Sequence, residues 1–315
     1  METVDVIIPV YKPDSGFLTM IEKLQAQTVP VNRIILMNTE QKYLDRLLYG
    51  TTLERENHNI TVKHLSKREF DHGRTRNQGV KLSDAEVFVM MTQDAMPADG
   101  YVVERLLESL RGDRIAAAYA RQLPCQDSSE AERYTRQFNY PEQPRVKTKA
   151  DLPELGIKTF FCSNVCAAYR RDVFDQLGGF VNRAIFNEDM LYAAKAVEAG
   201  YGIAYAAQAK VYHSHNYTYR QQFRRNFDLG VSQADHPEVF GGVPSEGEGI
   251  RMVGKVGRWL VQSGQAGQIP RLIAGSGGKY LGYRLGKLYR RLPKPVILKC
   301  TMNRDYWERR WREQI

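Results

Sequence analysis

A few polar side chains in this chain stand where they could do chemistry. Asp94 follows Val87 to Met91, a run without a charge, which Ser83-Asp84 precede and Pro97 closes. Such a run reads as a short strand buried on both faces, delivering one carboxylate into the turn beyond it. In open α/β sheets ligands bind in the crevice outside the carboxyl ends of the strands. A lone acid there is placed to hold a divalent cation, and the cation to hold a diphosphate. Glu188 and Asp189 open a helix, where the dipole favours ionised carboxylates; acids at such positions can also serve only as caps. His213 and His215 stand at a strand end, and His213 is the better placed of the two to face a metal. Cys162 and Cys166 lack a second pair at ligand spacing and read as buried thiols.

The hydrophobic pattern predicts the frame that must position these groups. Residues 4–10 read as a first strand, with Pro9 marking where pairing stops. Phe17, Leu18, Ile21 and Leu24 fall at helical spacing, and Val29-Pro30 breaks that helix. Residues 33–37 form a second strand running into Asn38, residues 61–65 a third, and a helix over 74–81 precedes the strand at 87–91. This alternation predicts an α/β fold with a mostly parallel central sheet and helices on its faces. Further on come a helix at 102–110, a strand at 115–120, and a long polar insertion at 124–158 broken by Pro124, Pro141, Pro144 and Pro153. A short helix ends at Gly178-Gly179, a second runs from Glu188 to about Ala199 under a Gly200 cap, strands follow at 203–206 and 209–213, and a helix starts at Gln221. The Gly-rich segment 241–250 predicts a linker between a domain over 1–240 and a helical region over 251–315.

Bulk composition narrows the class. The 315 residues are 43% hydrophobic and 26% charged, which predicts an ordered core. No stretch approaches the roughly 20 apolar residues of a spanning helix. The opening Met1-Glu-Thr-Val-Asp has no basic segment, so no secretory signal is expected. The four cysteines have no paired framework and read as reduced thiols of a cytosolic protein. The net charge of +9 is uneven: from Arg251 onward there are 15 Lys/Arg against 3 Asp/Glu. Such a tail seeks a polyanion, either an anionic bilayer or a nucleic acid. Tyr11-Lys-Pro-Asp follows Val10 in place of a Gly-x-Gly-x-x-Gly turn, which excludes a dinucleotide-binding dehydrogenase.

Taken in order, several segments resemble an inverting family 2 glycosyltransferase of the GT-A fold. They are Val6-Ile-Ile-Pro-Val-Tyr11, Arg76-Asn77, Thr92-Gln-Asp94, Gly178-Gly-Phe180, Asn187-Glu-Asp189 and Gln222-Phe-Arg-Arg225, and they span about residues 4–230. Each is weak alone; their joint order is specific. Phe70 to Asn77, Thr92 to Ala95 and Tyr212 to Tyr217 look more narrowly like bacterial rhamnosyltransferases. The resemblance implies Asp189 as the base that deprotonates an acceptor hydroxyl, with Glu188 touching the acceptor or fixing Asp189. It implies a donor pocket of Pro9, Tyr11, Asn38, His72, Arg76, Asp94 and Arg225, and a Mg²⁺ or Mn²⁺ on Asp94 with His213 as a further ligand. Thr92 stands where a D-x-D motif has its first acid, so metal should bind weakly alone and better with the donor diphosphate. The implied reaction moves a sugar, by resemblance L-rhamnose from dTDP-L-rhamnose, to a saccharide or polyprenyl-diphosphate-linked acceptor in surface polysaccharide synthesis.

In the tail, Leu281, Leu285, Leu288 and Leu292 fall on one helical face, with Arg284 and Arg291 beside it. This is the pattern of a basic amphipathic helix lying on a membrane, or of a helix packed on the catalytic domain. Membrane contact would suit a lipid-linked acceptor and would place the enzyme peripherally on the inner face of the cell membrane. Two other readings stay open: the same fold with a UDP-hexose donor, and a non-catalytic binder of sugar nucleotides or polyanions. A nucleic-acid partner is not expected, because the basicity is confined to the tail and no recognition motif accompanies it.

Overall fold

A computed structural model describes residues 2–51, 53, 59–112, 114–214, 217–242 and 246–313. The chain begins with β1 (Val4–Tyr11), α1 (Ser15–Gln25), β2 (Arg33–Thr39), α2 (Gln41–Leu48) and β3 (Ile60–Leu65). There follow α3 (His72–Lys81), β4 (Val87–Met91), β5 (Met96–Pro97), α4 (Val102–Leu110) and β6 (Ile115–Leu123). Next come α5 (Glu130–Asn139), β7 (Arg145–Lys147), β8 (Cys166–Arg170), α6 (Arg171–Gln176), α7 (Glu188–Glu198) and β9 (Gly202–Tyr212). The last helices are α8 (Tyr219–Asp235), α9 (Glu246–Gln262), α10 (Ile269–Lys287), α11 (Lys294–Cys300) and α12 (Arg304–Arg312), with short helical turns between some of these elements. By contacts the chain divides into two compact units: residues 1–123, 140–183 and 188–213, and residues 124–139, 184–187 and 214–315.

The first unit is a nine-stranded sheet in the order β3-β2-β1-β4-β8-β6-β9-β5, with β7 on β9. β1 pairs in parallel with β2 and β4, β2 with β3, and β6 with β9; β8 runs against β4 and β6, and β5 and β7 run against β9. Six strands therefore share one direction, which brings the carboxyl ends of β2, β1 and β4 side by side. Both faces are covered, as the uncharged β4 requires. On one, Val6, Ile8, Leu36 and Val89 meet Phe17, Met20, Ile21 and Leu24 of α1 and Val103 and Leu106 of α4. On the other, Phe88 stacks on Tyr169, and Phe174, Phe180 and Tyr192 complete an aromatic cluster. α3 lies so close to this face that a Cβ at Gly79 would stand 2.4 Å from Ile7 Cγ2.

Several local expectations need correction. Residues 203–206 and 209–213 are not two strands: β9 is continuous from Gly202 to Tyr212, with a register shift opposite Ala120 and Arg121. The insertion at 124–158 is not irregular, since it holds α5, β7 and short helical turns. α2 follows β2 and has no counterpart in the predicted elements. Residues 246–250 of the expected linker are helical. The leucine face predicted over 281–292 is not one helix, because α10 ends at Lys287 and a separate turn covers Tyr289–Arg291.

The second unit is helical, and α8 and α10 pack backbone to backbone. A Cβ at Gly282 would stand 2.2 Å from Phe223 O, one at Gly286 2.1 Å from Phe227 O, and one at Gly230 2.3 Å from Tyr283 O. Ile185, Phe227, Val231, Tyr289, Ile297, Tyr306 and Trp307 form its core. Beside that core Asp235 binds Arg310, Arg290 and the Tyr289 hydroxyl. Asp228 accepts hydrogen bonds from the Thr301 hydroxyl at 2.6 Å and the Met302 N–H at 2.9 Å, which ties α8 to the turn before α12.

Candidate active site

Glu188 and Asp189 begin α7 beneath the aromatic face, and the protein fixes both carboxylates. Asp189 Oδ2 accepts the Asn164 N–H at 2.9 Å, and Oδ1 accepts the Met190 N–H at 2.8 Å. Glu188 Oε1 accepts Asn164 Nδ2 and pairs with Arg76 Nη1, each at 3.1 Å. Asn164 in turn accepts the Tyr169 hydroxyl at 2.7 Å. One asparagine therefore sets the spacing of both acids. The two carboxylates respond in opposite directions. Burial and the neighbouring Glu188 charge push Asp189 up to about 7, against the pull of its two N–H donors and Arg76. Burial also opposes charge on Glu188, but Arg76, His72 and the Asn164 amide outweigh it and hold Glu188 below its ordinary value. Divergent neighbours of this kind separate the roles of an acid pair: Glu188 stays ionised while Asp189 is poised to take a proton near neutrality.

The sequence segments that looked separate are joined at α3. Arg76 binds Glu188, and Asn77 clamps the turn after Gly178-Gly179: its Oδ1 accepts the Phe180 N–H at 3.0 Å and its Nδ2 donates to Phe180 O at 2.8 Å. Both glycines take positive φ, 75° and 69°, which a side chain would strain. At the start of the helix Asp71 Oδ1 accepts the N–H groups of Arg74 and Arg183. A Cβ at Gly73 would lie 1.8 Å from Val181 O, so only glycine permits this closeness.

At the strand ends, Gln93 bonds Tyr11 on both sides, its Oε1 accepting the Tyr11 N–H at 2.7 Å and its Nε2 donating to Tyr11 O at 3.0 Å. This pair of hydrogen bonds fixes the end of β1 to the turn that carries Asp94. Asn38, fully buried, donates Nδ2 to His64 Nδ1 at 2.9 Å, and its Oδ1 is left without a partner. An orphaned buried carbonyl is costly unless a ligand N–H meets it. The Tyr11 ring stands edge-on to Tyr43.

Asp94 and His213 meet. His213 Nε2 lies 3.6 Å from Asp94 Oδ1, too far for a hydrogen bond, while Nδ1 is 3.1 Å from Gln122 Oε1. With Nδ1–H donated to Gln122, Nε2 offers its lone pair toward Asp94, which is the arrangement of a metal-ligating histidine. Gln122 is itself held by Ser163 at 3.0 Å. Among the described residues no group of three or more His, Cys, Asp or Glu gathers to hold a metal. The donor set of one carboxylate and one imidazole fits a hard cation only if phosphates and water supply the remaining ligands. The Thr92 hydroxyl beside it is buried and unpartnered.

The first unit thus brings together Asp189 with Glu188 and Arg76, Asp94 with His213, and Pro9, Tyr11 and Asn38 at adjacent strand ends. His72 opens α3, edge-on to Phe70, and its carbonyl accepts Arg76 Nη1 at 3.1 Å. Arg76 turns to Glu188. Arg225 belongs to the second unit, on α8, where its guanidinium lies 4.5 Å from the centre of the Phe186 ring and 5.8 Å from that of Tyr217. His215 lies outside the described residues. Cys162 and Cys166 are buried, and burial pushes both thiols up to about 12, so they are inert. Sequence reasoning missed Asn164, Gln122, Gln93 and Lys147. Lys147 is buried, donates to Lys158 O and Phe161 O, and lies 4.8 Å from the Tyr119 ring centre. Burial lowers it to about 7. It anchors the segment that leads to Asn164.

The family model for glycosyl transferase family 2 matches residues 5–178. Two curated relatives match along their length: the O-antigen chain rhamnosyltransferase RfbN of Salmonella typhimurium is 39% identical over 308 residues, 96% of each chain. The chain belongs to glycosyl transferase family 2. The other relative, the O-antigen chain rhamnosyltransferase WbaN of Salmonella anatum, is 38% identical over 312 residues, 98% of this glycosyltransferase and 96% of the relative. Among solved structures, the mannosyltransferase PcManGT of Pyrobaculum calidifontis, in complex with GDP-Man and Mn²⁺, superposes with a TM-score of 0.56 at 14% identity. That match covers 99% of this chain and 87% of the other. S. aureus TarS 1–349 gives 0.53 at 14% identity, over 92% and 91%. At such identity these likenesses concern the fold alone, and the glycosyltransferase has the GT-A fold expected of it.

Proposed function

We propose that this enzyme transfers L-rhamnose from dTDP-L-rhamnose, with inversion, to a saccharide carried on a polyprenyl diphosphate, in the assembly of a bacterial surface polysaccharide. The observation that carries this reading is the match along nearly the whole chain to two proteins named as O-antigen chain rhamnosyltransferases. Asp189 takes the proton of the acceptor hydroxyl as that oxygen forms its bond to the anomeric carbon, while the bond from that carbon to the diphosphate oxygen breaks. Each Asp189 oxygen already accepts one N–H and keeps a lone pair for the incoming hydroxyl. Glu188, Arg76 and Asn164 hold the base in place. Asn38 and Tyr11 receive the nucleoside, with the orphaned Asn38 carbonyl accepting a base N–H. Asp94 and His213 would hold Mg²⁺ or Mn²⁺, which when bound neutralises the charge growing on the leaving diphosphate.

Arg225 is a proposed contact to the same diphosphate. The boundary between catalytic domain and tail is proposed to fall within 241–250, whose last residues already belong to α9, and the basic tail supports a cytoplasmic enzyme resting on the inner face of the cell membrane. The test is to incubate the purified protein with dTDP-L-rhamnose, UDP-hexoses and GDP-mannose, a lipid-linked saccharide acceptor and Mn²⁺, and to weigh the product. A mass gain of one deoxyhexose from dTDP-L-rhamnose alone is expected. A hexose gain from a UDP donor overturns the donor, and nucleotide binding without transfer overturns the enzyme.

A further inference from the structure

α10 leaves several large apolar side chains outward, while Leu285 packs inward on the core. Its inner edge is glycine: Gly282 and Gly286 approach the carbonyls of Phe223 and Phe227 on α8 so closely that no side chain fits. This fixes the rotation of the helix, because turning it would drive side chains into α8. The opposite face then carries Ile273, Gly277, Tyr280 and Leu281 at helical spacing, with the exposed Arg284 among them and Leu288 just past the end. Ile273 is 61% exposed, Leu281 55% and Leu288 43%. A helix of a water-soluble unit ordinarily turns such residues inward. Large exposed apolar side chains gathered on one helix face with a basic residue among them suit a contact that takes both apolar surface and positive charge.

The charge around the face decides what that is. Residues 250–304 contain 12 Lys/Arg and not one Asp or Glu. Arg271, Arg291, Lys294 and Lys299 are exposed. A second copy docking this face on itself would bring two such unopposed positive fields together, since a two-fold contact pairs the same patch with itself. A nucleic acid would meet the charge but leave the isoleucine and leucines in water. An anionic bilayer meets both. No helix among the described residues is long and apolar enough to cross a membrane, so the mode is lying on the surface.

We infer that the outer face of α10, centred on Ile273 and Leu281, is the surface by which this protein inserts into the interface of an anionic lipid bilayer. The inference rests on the reading of the enzyme as membrane-associated and names the face that does it. The experiment is flotation of the full chain with vesicles of phosphatidylcholine plus phosphatidylglycerol, or of phosphatidylcholine alone. The variants are Ile273→Glu with Leu281→Glu, the milder Leu281→Gln, and Tyr49→Glu as a control on an exposed residue of the first unit. The wild type and the control should float with anionic vesicles. The double variant should lose at least about tenfold in partition, the factor that withdrawing one large apolar side chain implies, and Leu281→Gln should lose less. All should keep transfer to a short water-soluble acceptor, which shows that they fold. Wild type and double variant floating equally would overturn this face while leaving membrane association standing. A wild type that never floats would overturn both. A concentration-dependent dimer by light scattering that the double variant abolishes would assign the face to a second copy and overturn the inference.

Discussion

At one end of the candidate site the protein supplies partners to both oxygens of Asp189 and to Glu188 Oε1, and Glu188 is all but withdrawn from water. At the other end Asp94 keeps 45% of its side chain exposed, and its neighbour His213 stops 3.6 Å short. The acid pair is finished before any substrate arrives, which is what positioning a base demands. The Asp94–His213 end is more open to solvent, and it is the proposed place for a cation with its phosphates. Damage to the first end should therefore appear in turnover or in the fold, and damage to the second in metal and donor binding.

The largest break should come from Asp189→Asn. Loss of a general base lowers kcat by about 10²–10⁴-fold, while calorimetric affinity for the donor nucleotide should stay at the wild-type value. A parallel loss of donor affinity would mean that Asp189 belongs to the donor pocket. Next is Arg76→Met. It leaves Glu188 buried without its counter-charge, which costs about 3–5 kcal/mol of stability and should lower the denaturant midpoint. Replacing Arg76 and Glu188 together by Met should recover most of that loss, because no charge is then left stranded. If the single and double variants are equally destabilised, the pair is not the source.

This contrast was partly legible in the sequence. Asp94 was visible because β4 is an uncharged run that could only be buried, and His213 because it stands just past the end of a strand. Asn164, Gln122 and Lys147 were not: each is a single polar residue in an apolar setting, and its meaning lies in partners such as Glu188, His213 and Phe161. Arg76-Asn77 was visible as a motif, but not the division of labour that sends Arg76 to Glu188 and Asn77 to Phe180. α5 was hidden because Pro124 and Pro141 flank it and give the whole segment a broken composition, though no proline falls within the helix. The tail pattern misled for a different reason. Its leucines over 281–292 were read as one helical face, for a membrane or for the domain, whereas α10 ends at Lys287 and bare glycine edges on α8 and α10 decide its rotation.

The Asp94 end can be probed without touching a proposed ligand. Gln122→Leu removes the acceptor that orients His213, and such a change weakens metal binding by about 10–100-fold. Titration of Mn²⁺ in the presence of the nucleoside diphosphate should show that loss, and kcat at saturating metal should return near wild type. An unchanged affinity would remove His213 from the metal.

The smallest expected effect separates the two acids most sharply. As the proposed base Asp189 would act only when ionised, so kcat/KM should fall as pH drops through about 7, the value to which burial and Glu188 raise it. Glu188→Gln keeps an oxygen that can accept from both Arg76 and Asn164, since both bonds end on Oε1, and removes only the charge. With the like charge gone and Arg76 uncompensated, Asp189 ionises more easily, and the acidic limb should move down by about one pH unit. The sign is the discriminating feature. A limb that stays in place means Glu188 does not raise Asp189, and a limb that moves up means the titrating group is not a carboxylate beside it. Kinetic pH profiles of the two proteins, measured with the same acceptor and saturating metal, decide between these outcomes.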